Sequence, residues 1–295
     1  MKALDFQKPA LAELVARVRA FFAFHTGEFR DIAISPRWAT ILVAPTGVGK
    51  TTMAALVASN PAVRASILRV SAPSYMPCGA HNRGTKESIS VIAEHIAKHK
   101  KTILVLDELD KINDMENAWH GFIRNELYDM IGGVFPAGLN LPDIEDCPRL
   151  TIDALTKKLR TTVFFLAIGT FQNWFDDERS RRTIGFAEKS DQENDEFTAD
   201  TIAQRLPREL GNRFGKIVRL PELQEHDYHQ IAKEAETKLP ERMRQLFRKE
   251  VSQRIETAIQ EKKGVRFLEE AVTAVLISLP EPVFNPSVSF TIDDL

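Results

Sequence analysis

The apolar and polar positions divide the chain near residue 222. Before that point, short apolar runs alternate with segments of helical period. Strands are predicted at 39–44, at 65–70 ("ASILRV"), at the start of 101–111 ("KTILVLDELDK"), at 161–169 ("TTVFFLAIG") and at 216–220 ("KIVRL"). Between them, Leu11, Leu14, Val15, Val18, Phe21 and Phe22 recur at helical spacing, which predicts a helix over 8–24. Ile89, Ile92 and Ile96 mark one face of a second helix, with Thr85 as its expected cap, and Trp119, Phe122, Ile123, Leu127 and Met130 mark a third. Residues 132–150, rich in proline and glycine, and the charged stretch 176–200 read as loops. After Pro221 the pattern is helical throughout, punctuated by Pro240 and Gly264. Strands alternating with helices imply a parallel sheet covered on both faces. The expectation is an α/β domain over 1–221 followed by a small helical domain over 222–295.

Composition narrows the class without naming it. The 295 residues, 43% hydrophobic and 27% charged, suit an ordinary globular chain. A net charge of −2 argues against a wholly basic nucleic-acid coat but leaves room for a local patch. No apolar run is long enough to span a bilayer, and "MKALDFQKPALAEL" lacks a signal-peptide core. Two cysteines, Cys78 and Cys147, make no disulfide framework, so a cytoplasmic home is expected, with no membrane partner.

Chemistry enters at "ATILVAPTGVGKTTMAAL", residues 39–56. A strand that ends in a glycine-bearing turn and restarts as a helix presents backbone N–H groups and a helix N-terminus to an anion. The run Ala44, Pro45, Thr46, Gly47, Val48, Gly49, Lys50, Thr51 fits the phosphate-loop pattern except that Ala44 replaces its first glycine. Lys50 is expected to reach β- and γ-phosphates, the Thr51 hydroxyl to join a Mg²⁺ shell, and Thr52 to follow in the same turn. A second strand ends in Asp107 and Glu108. Asp107 can hold Mg²⁺ through water, and Glu108 can act as general base toward an attacking water. ATP and Mg²⁺ are the expected cofactors.

These two segments, "APTGVGKTT" and "LDELDKI", resemble the Walker A and Walker B motifs of AAA+ ATPases, in particular the ClpX and HslU unfoldase branch. The resemblance continues in order along most of the chain. "VFFLAIGTFQ" (163–172) is similar to the sensor-1 strand, which implies Thr170 or Gln172 near the γ-phosphate. "LPRELGNRFGKIVRLPEL" (206–223) resembles the arginine-finger segment and implies that Arg213 acts on a neighbouring subunit. "GVRFLEEAV" (264–272) looks like the start of the sensor-2 helix, implying that Arg266 reaches the nucleotide from the lid. The fold implied is an AAA+ P-loop NTPase with a small all-α lid, assembled as a homo-oligomeric, hexameric ring that hydrolyses ATP to remodel or unfold a macromolecule, foremost a protein.

Two further segments bear on the substrate. "SAPSYMPCGAHNRG" (71–84) occupies the place of the branch's pore loop, so Tyr75 and Met76 are the expected gripping pair, although the family's flanking glycines are missing. Ile184, Gly185 and Phe186 match the loop by which ClpX and ClpA dock a ClpP-type peptidase. His81, Arg83 and the basic stretch 241–250 are the residues a nucleic-acid substrate would use. They keep open an alternative, a nucleic-acid-linked ATPase such as a transposition regulator or an antiviral sensor that licenses an effector. Stretch 241–250 reads first as an amphipathic helix, and His226 and His229 as a solvated face. Cys78 and His81 have metal-like spacing without a second pair.

Overall fold

The computed structural model describes residues 3–26, 36–79, 86–113, 120–135, 151–171, 206 and 208–279. Its centre is a five-stranded sheet, β1 (Thr40–Val43), β2 (Ser66–Ser71), β3 (Thr102–Asp107), β4 (Val163–Gly169) and β5 (Lys216–Arg219), in the order β2-β3-β4-β1-β5. Every pairing is parallel. The predicted strand positions hold, with ends shifted by one or two residues.

The sheet buries both faces, and the pleat sorts its side chains by turns. Leu42, Ile103, Val105, Phe164, Leu166, Ile168 and Val218 face one apolar cluster, which includes α1 (Lys8–Thr26) and α2 (Lys50–Ser59). Ile41, Val43, Leu104, Leu106, Phe165 and Ala167 face the other, built with α3 (Ser88–Lys98), α4 (His120–Ile131) and α5 (Ile152–Thr162). Because β1, β3 and β4 lie between two helical layers, they read as near-continuous apolar runs, whereas the edge strands β2 and β5 carry polar and charged residues.

Helix α5 escaped the sequence reading. Its signals are nevertheless present: Thr151 accepts a cap bond from Ala154 N–H at 3.2 Å, and Leu155 and Leu159 follow four apart into the core. The helix runs directly into β4, so residues 161–162 close a helix instead of opening the strand. α3 begins at Ser88 with Glu87 in the capping position, two residues beyond the expected Thr85.

After the short α6 (Arg208–Gly211) and β5 come α7 (Glu225–Lys238), α8 (Glu241–Gln260) and α9 (Arg266–Ser278). Met243, Phe247, Val251, Ile255 and Ala258 form the buried stripe of α8. Arg244 donates to Glu241 Oε2 at 2.6 Å and Arg248 to Glu236 Oε1 at 2.8 Å, so two cations of stretch 241–250 are paired on the solvated side of an amphipathic helix. Tyr228, Phe267 and Val275 join the cluster that also holds Val48 and Leu220, which seats the three helices against the phosphate-loop side of the sheet. Among the described residues, no helix is long and apolar enough to cross a membrane.

Candidate nucleotide site

The strand order decides where chemistry can occur. β4 lies between β1 and β3, so the segments that leave these three strands meet at one edge of the sheet, where parallel α/β sheets bind ligands. The loop after β1, the acids after β3 and Thr170 after β4 therefore converge. Ala44 N–H donates to Gly169 O at 3.3 Å across the first junction, and Ala72 N–H to Asp107 O at 2.8 Å across the next.

The phosphate loop is held from two sides. Gln7, buried in the turn before α1, donates from Nε2 to Val48 O at 3.2 Å. From the other side, Val265 N–H donates to Gly47 O at 2.9 Å, and Gly264 N–H donates to the Tyr228 hydroxyl at 3.3 Å. Gly47 (φ 79°) and Gly264 (φ 65°) touch backbone to backbone: a Cβ on Gly264 would lie 2.5 Å from Gly47 O. Only glycine permits both that approach and those dihedrals. Gln7 and the 263–265 turn were not found from the sequence, where Gly264 stood only as punctuation.

Lys50 opens α2 and folds back, its Nζ donating to Ala44 O and Pro45 O at 2.8 Å each. Burial pushes its ammonium down to about 8, against the pull of Asp110, Asp107 and Glu108, and the positive charge of Arg266 lowers it further. Lys50 is thus the point where the loop, the acids of the β3 turn and the start of α9 are felt together. A cavity of about 260 Å³ opens on the phosphate loop, lined by Pro45, Thr46 and Val48 from the loop and by Leu223, Tyr228 and Gly264 from the segments after β5. The Lys262–Glu222 ion pair spans the cavity rim.

Each acid of the β3 turn has its own partner. Asp107, almost fully buried, accepts from Arg69 Nε at 2.7 Å and from Glu108 N–H at 2.9 Å. Glu108 sits at φ 56°, a strained backbone for a non-glycine residue, and pairs with Lys111. Asp110 accepts from the Thr170 hydroxyl at 2.9 Å and from Phe171 N–H at 3.0 Å. Arg69 and Asp110 were missed in the sequence; Arg69 could have been suspected as the one cation inside an otherwise uncharged strand, "SILRVS".

The donor chemistry suits Mg²⁺. Hard magnesium takes one or two protein oxygens and completes its shell with phosphates and water. The exposed Thr51 at the start of α2 and the Asp107 carboxylate supply that number, provided Arg69 releases Asp107. Among the described residues, no group of three or more His, Cys, Asp or Glu is gathered in a way that could hold a metal, and His81 lies outside them.

Residues 40–170 match the family described as "ATPase family associated with various cellular activities (AAA)". This segment is similar to an AAA domain. No curated protein matches the chain. The AAA match runs from the first residue of β1 to Thr170, so it contains the phosphate loop, both β3 acids and the Thr170 hydroxyl.

The remaining expectations fare unequally. Arg266 stands exposed at the first turn of α9, immediately after the residues that touch Gly47. Arg213 lies at the opposite edge of the sheet: Gly215 N–H bonds Ala39 O, just before β1 begins, and the Arg213 guanidinium rests 4.1 Å over the Tyr128 ring. Tyr75, the expected gripping tyrosine, faces inward. Tyr75 is only 5% exposed, with its hydroxyl donating to Glu126 Oε2 at 3.0 Å inside the protein. A buried phenol needs an acceptor, and Glu126, itself buried, provides one while also accepting from Cys78 N–H at 2.6 Å. Burial pushes Glu126 above the usual carboxylate range, opposed by these two bonds. Met76 is half-buried, its N–H donating to Ser88 Oγ at 2.8 Å. Gln172, His81, Arg83, and Ile184, Gly185 and Phe186 lie outside the described residues.

Proposed function

We propose that the chain hydrolyses ATP and acts as a ring-forming motor that remodels a macromolecule, in the first place a protein. The observation that carries this reading is the backbone contact between Gly47 and Gly264–Val265. It couples the loop that grips phosphates to the helices that follow β5, so a change at the phosphates is transmitted to the lid. A mere binding module has no need of that coupling.

The base of the nucleotide fits the cavity between Pro45, Thr46 and Val48 and the lid residues Leu223, Tyr228 and Gly264. Lys50 turns from the Ala44 and Pro45 carbonyls to the phosphates, whose negative charge favours its ammonium form. Glu108, once released from Lys111, accepts a proton from water as the water oxygen bonds the γ-phosphorus; the bond to the bridging oxygen breaks and ADP leaves with the electron pair. Magnesium bound by Thr51 and Asp107 would neutralise charge on the β- and γ-oxygens. Arg213, placed away from its own phosphate loop, suits a role on the neighbouring subunit, where an arginine stabilises transition-state charge. Head-to-tail contacts of this kind form a ring when their rotation closes.

The decisive test is the ATPase rate per subunit against protein concentration, with Arg213→Ala alongside. Turnover that rises as subunits assemble, and is lost in Arg213→Ala with nucleotide binding retained, is the expected result. Full-rate hydrolysis by a dilute monomer would rule out the shared site. Burial of Tyr75 removes one of the reasons for protein threading and favours keeping the nucleic-acid-linked ATPase as the second reading. Stimulation by DNA or RNA that weakens with salt would select it, whereas stimulation by unfolded protein would select the first.

A further inference from the structure

Asp110 has no role in the reading above, yet its carboxylate ties the β3 turn to the end of β4. Its Oδ2 accepts two hydrogen bonds, from the Thr170 hydroxyl at 2.9 Å and from Phe171 N–H at 3.0 Å. Its Oδ1 is buried and meets no donor among the described residues. Phe171 takes a left-handed backbone, φ 47°, as it makes its bond. Strain of this kind persists where surrounding contacts fix it, and it clusters at functional sites.

The direction of the Thr170 bond matters. A threonine hydroxyl has one hydrogen and two lone pairs. Since Oδ2 already accepts from Phe171 N–H, it is an acceptor toward Thr170 too, and the single hydroxyl hydrogen is committed to it. What Thr170 can offer the site is then a lone pair. A phosphate oxygen only accepts, so it gains nothing from that lone pair; a water molecule, which donates, does.

We propose that Asp110 is a positioning residue that fixes the polarity of Thr170, so that the Thr170 oxygen accepts from the attacking water instead of donating to the γ-phosphate. This deepens, and rests on, the ATPase reading of the same site. Asp110 belongs to the turn that carries Asp107 and Glu108, so one short segment orients the general base and, through β4, the second acceptor on the water. Among the charges that favour the Lys50 ammonium, that of Asp110 is the largest.

The experiment uses the full chain and two readouts: steady-state ATP turnover, and binding of the non-hydrolysable β,γ-imido analogue relative to ADP. Thr170→Val is expected to lower kcat about tenfold to a hundredfold, with the analogue-to-ADP affinity ratio unchanged within about twofold, since no donor to the γ-phosphate is lost. Asp110→Ala frees the hydroxyl hydrogen and raises that ratio, and the double variant Asp110→Ala/Thr170→Val does not. Asp110→Asn, whose amide oxygen can take the place of Oδ2, keeps turnover within about threefold of the parent. A merely structural Asp110 would leave the ratio alone in every variant.

Selective loss of analogue affinity in Thr170→Val, or an Asp110→Asn as damaging as Asp110→Ala, overturns the proposal while the ATPase reading survives. A parent chain without turnover but with the stated pattern of ratios does the reverse: the ATPase reading falls and the polarity of Thr170 stands.

Discussion

The segments that leave β1 and β2 at the same edge of the sheet differ in kind. The first, 44–49, presents a curved backbone and is braced from outside by Gln7 and the 263–265 turn. The second, 72–79, is fastened inward: Tyr75 and Cys78 both bond Glu126, and Met76 bonds Ser88. One is shaped to receive a ligand; the other spends its polar groups on its own fold. The difference teaches that a function carried by backbone geometry is visible in residue type and spacing. A function carried by one aromatic side chain depends on whether the fold leaves that ring exposed.

Four measurements would break or sharpen this contrast. Glu108→Gln is expected to cut turnover by about 10²- to 10⁴-fold with ATP binding retained; hydrolysis at the parent rate would mean that the base lies elsewhere. Tyr75→Ala is expected to destabilise the fold by about 3–5 kcal/mol, as truncation of a buried aromatic does. Denaturant melts measure it, and an unchanged midpoint would show the ring to be exposed in solution. Gly264→Ala is next, costing about 2 kcal/mol or more from left-handed strain and the displaced Gly47 carbonyl, seen as a lower melting temperature together with weaker nucleotide binding.

The smallest effect is one of pH. Burial holds Lys50 at about 8 instead of 10.5. Phosphate raises it again, so above pH 8 binding takes up a proton and affinity falls by up to about tenfold per unit. The ligand-free fold moves the other way. Between 8 and 10.5 the unfolded chain binds more protons at Lys50 than the folded one, so this residue's contribution makes stability rise with pH. Calorimetry in buffers of different ionisation heat separates the two, and an affinity flat from pH 7 to 9.5 would refute the buried ammonium.

Much of the architecture was legible because the central strands β1, β3 and β4 are apolar on both faces and the phosphate loop is written in consecutive residues. What stayed hidden is tertiary. Gln7 and Val48 are far apart in sequence, and so are Arg69 and Asp107; no local pattern links them. Helix α5 was lost because its polar face outweighs two buried leucines in a short segment. Asp110 carries no local signal of its own, although its carboxylate holds the end of β4. For Tyr75 the sequence position pointed to a working surface, and only the placement of Glu126 on α4 reveals why the ring is inside.

The pairing of Arg69 with Asp107 has a consequence for the order in which the site fills. With a guanidinium already serving as counter-ion, the carboxylate has little to offer a bare divalent cation arriving from solution. A metal escorted by a nucleotide brings its own anchorage on Lys50 and the loop, and can compete for Asp107 from close range. On the proposed ATPase reading, this pairing would guard the resting protein against idle metal loading until nucleotide arrives.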